Sequence, residues 1–131
     1  MVMEVIYKND LPTEDDLFSL YEALGWSGYA NLSPNQLLTA MKQSYYAVYA
    51  YVDNKLVGTG RAVSDGVIYA YLCGLGVLPD YRNNGIGTEI ARKLTAYCKE
   101  SNLRIQFFCK DNMVSYYERI GFERFAIGMR L

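Results

Sequence analysis

The sequence predicts a mixed α/β fold: one central sheet flanked by helices, in a single domain spanning residues 1–131. Three observations carry this expectation. Short runs of strand-forming residues alternate with stretches of helical period along the whole chain. No linker, repeat or low-complexity segment divides it. Apolar residues make up 51%, with 13 tyrosines and five phenylalanines, so one core can be filled, but 131 residues are too few for two.

The elements follow in order. "VMEVIY", Val2 to Tyr7, is a short β-prone run. "LPTEDDLFSLYEAL" opens a helix with Thr13 as N-cap and three acids at 14–16 that complement its positive end, while Leu17, Leu20, Tyr21 and Leu24 share one face. After the glycine-punctuated loop "GWSGYANL", a second helix starts with a capping box: Ser33 at the cap, Pro34 first in the helix, Gln36 reaching back. "YYAVYAYV" and "LVGTGRAVS" read as a hairpin around "DNK". The turn "SDG" leads into the strand Val67 to Val77, whose Gly74 and Gly76 mark a bulge or a close approach to the backbone. A helix from about Gly85 to Glu100 carries Ile86, Ile90, Leu94, Tyr97 and Cys98 on one stripe and ends at Asn102. "LRIQFFC" is a strand, "NMVSYYERI" a short helix capped by Gly121, and "FERFAIGMRL" a closing strand.

Composition narrows the function. A net charge of −1 gives no electrostatic case for nucleic acid, and no basic helix suggests a membrane surface. The N-terminus lacks the pattern of a signal peptide, and no stretch approaches the roughly 20 apolar residues that span a bilayer, so a cytoplasmic protein is expected. Cys73, Cys98 and Cys109 have no CxxC spacing and read as reduced thiols. Histidine is absent, which removes Ser-His-Asp and Cys-His arrangements and the usual catalytic zinc sites; no metal is implied.

The informative stretch is "VLPDYRNNGIGTEIARKL", Val77 to Leu94. Glycine in a first helical turn costs about 1 kcal/mol relative to alanine. Gly85 and Gly87 therefore point to something other than helix formation: an anion brought close to backbone amides at a helix N-terminus, with Arg82 beside it. A P-loop lacks its lysine here, since Thr88 follows Gly87 directly, and a dinucleotide fingerprint fails because Pro79 stands where the third glycine of "GLGVLP" belongs. A plain surface turn entering a helix is the alternative.

The segment resembles the acetyl-CoA-binding stretch of the GNAT superfamily of N-acetyltransferases, and "SYYERIGF", Ser115 to Phe122, resembles that family's late tyrosine and "GF" signature. The resemblance implies a GNAT-type acyl-CoA N-acyltransferase fold, with strands 4 and 5 splayed apart. It implies that pantetheine pairs with the backbone at Leu75 and Val77. The pyrophosphate would meet amides within Arg82, Asn83, Asn84, Gly85, Ile86, Gly87 and Thr88; Asn112, near but not in the commonest register of a family asparagine before the tyrosine helix, would add a coenzyme contact. Tyr117 takes the position of the acid that protonates the departing thiolate, while Tyr116 or Tyr117 could instead be a core aromatic.

The implied activity is acetyl transfer from acetyl-CoA to a primary amine of a small molecule. Two alternatives stay open: a protein or peptide acetyltransferase, and a non-catalytic acyl-CoA-binding module. A carboxylate common on the family's fourth strand is replaced by Gly74, so the base is unassigned; Asp65, Asp111 or water held by Tyr71 are substitutes. "GW" at 25–26, Ser44, "GxGRAVSDG" at 58–66 and "GM" at 128–129 resemble an arylalkylamine acetyltransferase-like subgroup, with Trp26 and Tyr29 set either to wall an acceptor pocket or to form a structural lid on the core. The closing strand would leave a sheet edge that a homodimer would cover.

Overall fold

The computed structural model describes residues 3–26 and 31–131. Tyr29 lies outside them. Five strands form one sheet in the order β1 (Ile6–Lys8), β2 (Tyr46–Val52), β3 (Lys55–Ser64), β4 (Tyr69–Val77) and β5 (Arg104–Gln106). The first four pair antiparallel, β2–β3 and β3–β4 through short turns and β1–β2 across the long segment 9–45, and β5 joins parallel to β4 after a helical crossover.

Helices cover both faces. α1 (Glu14–Ala23) and α2 (Pro34–Lys42) pack on each other and α1 leans on β3; α3 (Ile86–Glu100) crosses β2 to β5 on the opposite face, and α4 (Val114–Arg119) follows β5. The caps form as the sequence implies. Thr13 accepts from the Asp16 amide at 3.1 Å, and Ser33 and Gln36 close a reciprocal capping box at 3.2 and 2.9 Å. The β2–β3 turn places Asp53 and Asn54 at φ +49° and +64°, the twist that a two-residue hairpin needs. Tyr49, Leu17, Leu37, Ile90 and Leu94 are fully enclosed and anchor the core on either side of the sheet.

Three elements differ from expectation. The closing segment 122–131 forms no strand. Phe125, Ile127 and Met129 keep the apolar alternation of one, but they stand 62, 89 and 92% exposed: the segment lies across a groove from β5, the last strand of the sheet, without pairing to it, and no layer covers its apolar side chains. β5 covers Arg104–Gln106 rather than 103–109, and β1 starts at Ile6 rather than near residue 2.

β4 bends at a bulge. Thr59 faces Gly76 and Arg61 faces Cys73, so Gly74 and Leu75 together oppose Gly60. Gly74 takes φ +61°, which permits this turn of the backbone. β5 pairs with β4 only at Tyr69, Ala70 and Tyr71. From Leu72 to Val77 the outer edge of β4 has no strand beside it, and the two strands are splayed.

Candidate active site

Beyond Val77 the chain makes a single 3-10 turn (Pro79–Tyr81), then enters α3 through a tight loop. Asn83 and Gly85 both take left-handed backbone, at φ +65° and +78°. The Asn84 amide donates to the carbonyls of Tyr81 (3.2 Å) and Arg82 (3.0 Å), holding the loop's curve. Arg82 Nε donates to the Val77 carbonyl at 2.9 Å, tying the loop to the end of β4.

This loop leaves donors open. The first intrahelical bond of α3 runs from the Glu89 amide to Gly85 O, and no side chain caps the helix. The amides of Ile86, Gly87 and Thr88 therefore lie at a bare positive helix end. A Cβ at Gly85 would meet nothing within 4 Å, so the space above it is free for a ligand. A Cβ at Gly87 would lie 3.7 Å from Tyr116 Oη and from Val77 Cγ2. The end of β4, the start of α3 and α4 thus converge at one place. The donor set fits a pyrophosphate.

α4 presents its two adjacent tyrosines differently. Tyr116 Oη shares a 2.6 Å hydrogen bond with Thr88 Oγ1, locking α4 to the first turn of α3. Tyr117 packs edge-on against Phe107 at 4.6 Å and Phe122 at 6.1 Å, and it lines a cavity of about 620 Å³. Burial pushes its phenol above the usual value, with Tyr116 and Cys109 adding to the shift, so the hydroxyl keeps its proton at neutral pH.

The cavity passes through the sheet where β4 and β5 part. Tyr21, Trp26 and Met41 wall it from the α1–α2 side, Ala91 from α3 on the other, and Phe107 and Tyr117 across the gap. Its size falls within the range of small-molecule sites. Trp26 meets Tyr21 edge-on at 5.2 Å and lies so close over Gly76 that a Cβ there would clash with its ring.

Some expected residues are not brought to this cavity. Asn112 is exposed on the 3-10 turn Asp111–Met113 and lines no part of it. Asp65 accepts from the Val67 and Ile68 amides at 2.8 Å each; these bonds hold its carboxyl below the usual range and spend it on the turn. Asp111 lines a second groove, of about 700 Å³, between β5 and the closing segment. Tyr71 stacks on Phe108 at 6.0 Å and does not line the cavity that holds Tyr117. Sequence reasoning missed Arg61 and Lys110, which line the cavity; an arginine inside the apolar run "LVGTGRAV" was the available signal.

Comparison with known proteins bears on this arrangement. The acetyltransferase (GNAT) family model matches residues 11–122. The chain belongs to that family. It is 29% identical over 79 residues to the chloroplastic GCN5-related N-acetyltransferase 2 of Arabidopsis thaliana, a match covering 60% of this chain and 31% of that protein. The curated relatives it matches are longer: the chain spans between 31 and 67% of their length. Among solved structures, a GNAT-family acetyltransferase from Streptococcus pneumoniae superposes with a TM-score of 0.78 at 25% identity, covering 98% of this chain and 97% of the other. A probable acetyltransferase from Staphylococcus aureus reaches 0.83 at 21% identity over 98% of both chains, a likeness of fold.

Proposed function

We propose that the protein transfers the acetyl group of acetyl-CoA to the primary amine of a small molecule by direct attack. The observation that carries this is one continuous path: an uncapped helix end, an unpaired β4 edge, and a through-sheet cavity that holds Tyr117. Pyrophosphate would rest on the amides from Asn84 to Thr88. Pantetheine would run along Leu75 and Val77 in the gap, and the acceptor would enter from the Trp26 side.

The acetyl-CoA thioester would then lie near Tyr117. The amine lone pair attacks the acetyl carbonyl, a C–N bond forms and the C–S bond breaks. The leaving thiolate takes the Tyr117 proton, and the surplus proton of the amine passes to water, since no aspartate or glutamate lines the cavity among the described residues. The products are the amide and coenzyme A.

A thermal melt with acetyl-CoA tests the donor half of this reading. Ligand at a hundred times its dissociation constant stabilises the folded state by about 2.7 kcal/mol. Wild type should melt higher, and Gly87→Trp, which fills the space over the cradle, should melt unchanged by ligand. A Gly87→Trp variant that shifts as wild type does would remove the cofactor from this loop.

A further inference from the structure

Resting on the acetyl-transfer reading, we propose that the acceptor is a small amine that also carries an anionic group, carboxylate or phosphate, held by Arg61 at the cavity wall. Arg61 enters from the middle of β3, on the face turned to α1 and α2, and is half-buried. Its Nη1 reaches the Ala40 carbonyl at 3.4 Å and Ser44 Oγ at 3.3 Å, long contacts that orient the guanidinium and leave most of its five donors unused.

No carboxylate answers it. Among the described residues the one ion pair joins Arg92 to Glu89. The residues outside the description, 1, 2 and 27–30, include no aspartate or glutamate. A guanidinium drawn out of water without a counter-charge is costly, and evolution ordinarily pairs it. Here its surroundings are the buried Tyr49, which carries a hydroxyl without a hydrogen-bond partner and feels the charge of Arg61, and Cys73, whose thiol Arg61 also influences. Lys110 brings a second cation to the same cavity.

The cavity is therefore positive, and its unspent donors match the planar fork of a carboxylate or phosphate. The same field opposes an ammonium and so favours the neutral, nucleophilic amine that attack requires. A plain cationic amine, lacking an anion, would meet repulsion with nothing to offset it.

Matched acceptors decide the matter. Acetyl transfer, followed as free thiol released from acetyl-CoA, is compared for phenylalanine against phenethylamine and for O-phosphoethanolamine against ethanolamine. The first pair reports a carboxylate, the second a phosphate. The expected result is a kcat/KM at least about tenfold higher for the anionic member of one pair, as a hydrogen bond to a charged group supplies. That preference should vanish in Arg61→Met and return in part in Arg61→Lys, with the acetyl-CoA melting shift unchanged in all three. Equal rates within both pairs, or a preference that survives Arg61→Met, would overturn the proposal; silence from all four with coenzyme still bound counts against it equally. The wild-type comparison needs no variant to fold. If acetyl-CoA gives no melting shift, the acetyl-transfer reading is what fails. Arg61 is then judged by whether O-phosphoethanolamine alone raises the wild-type melt and not that of Arg61→Met.

Discussion

The two halves of the site are built by opposite means. The cradle at Asn83 to Thr88 is made from backbone, held by one loop, and depends on empty space: a Cβ at Gly85 would touch nothing. The cavity is made from side chains of six separate helices and strands and of the segments between and after them, and depends on contact: a Cβ at Gly76 would strike Trp26. A loop of main-chain donors suits the proposed coenzyme, the same in every reaction. A wall of side chains can be refitted to each acceptor while the sheet beneath stays the same.

The largest effect should come where the halves meet. Tyr117→Phe removes the phenolic hydrogen of Tyr117, which lines the cavity, and keeps the ring against Phe107. General-acid catalysis contributes about 10²- to 10⁴-fold, so turnover should drop by that order while the acetyl-CoA melting shift stays. Retained turnover would leave Tyr117 as packing. Because its phenol is raised rather than lowered, the rate of wild type should show no loss of this donor below pH 10.

A glycine pair sharpens the contrast one step down. Gly76→Ala overpacks the site under Trp26, at a cost of about 1–3 kcal/mol, and Trp26→Ala in the same chain should recover part of it. Gly85→Ala meets no neighbour but must hold φ +78°, at about 1 kcal/mol. Urea unfolding of the three variants checks both figures. Equal costs at 76 and 85, unrelieved by Trp26→Ala, would erase the distinction between space and contact.

The same contrast explains what the sequence could tell. Capping residues, the Asp53-Asn54 turn and the Gly74 bulge act within a few positions, so their spelling shows locally. The cradle is equally local: Gly85 sits at the N-cap in left-handed backbone, and Gly87 stands out because a first helical turn has no use for it. The cavity draws Tyr21, Arg61, Phe107 and Lys110 from positions up to 89 residues apart, and nothing at any one of them announces the others. The closing strand misled for a related reason: the alternation of Phe125, Ile127 and Met129 is a local property, whereas a strand also needs a layer elsewhere in the fold to bury its apolar face, and these side chains stay exposed.

The smallest effect concerns the joint between the halves. Thr88 is read as a coenzyme contact, yet its hydroxyl is already shared with Tyr116 at 2.6 Å. Thr88→Val keeps the shape and removes that bond, worth about 1 kcal/mol, and frees α4 from the first turn of α3. If the hydroxyl serves chiefly to seat α4, stability should fall by about that amount. Acetyl-CoA affinity should barely move, because the Thr88 amide is retained, and Tyr117, next along α4, should lose some of its rate. If the hydroxyl instead binds phosphate, affinity should fall and stability should not. Calorimetric titration of acetyl-CoA beside urea unfolding separates the two, and the first outcome would mean that the cradle and the acid are positioned by one hydrogen bond between them.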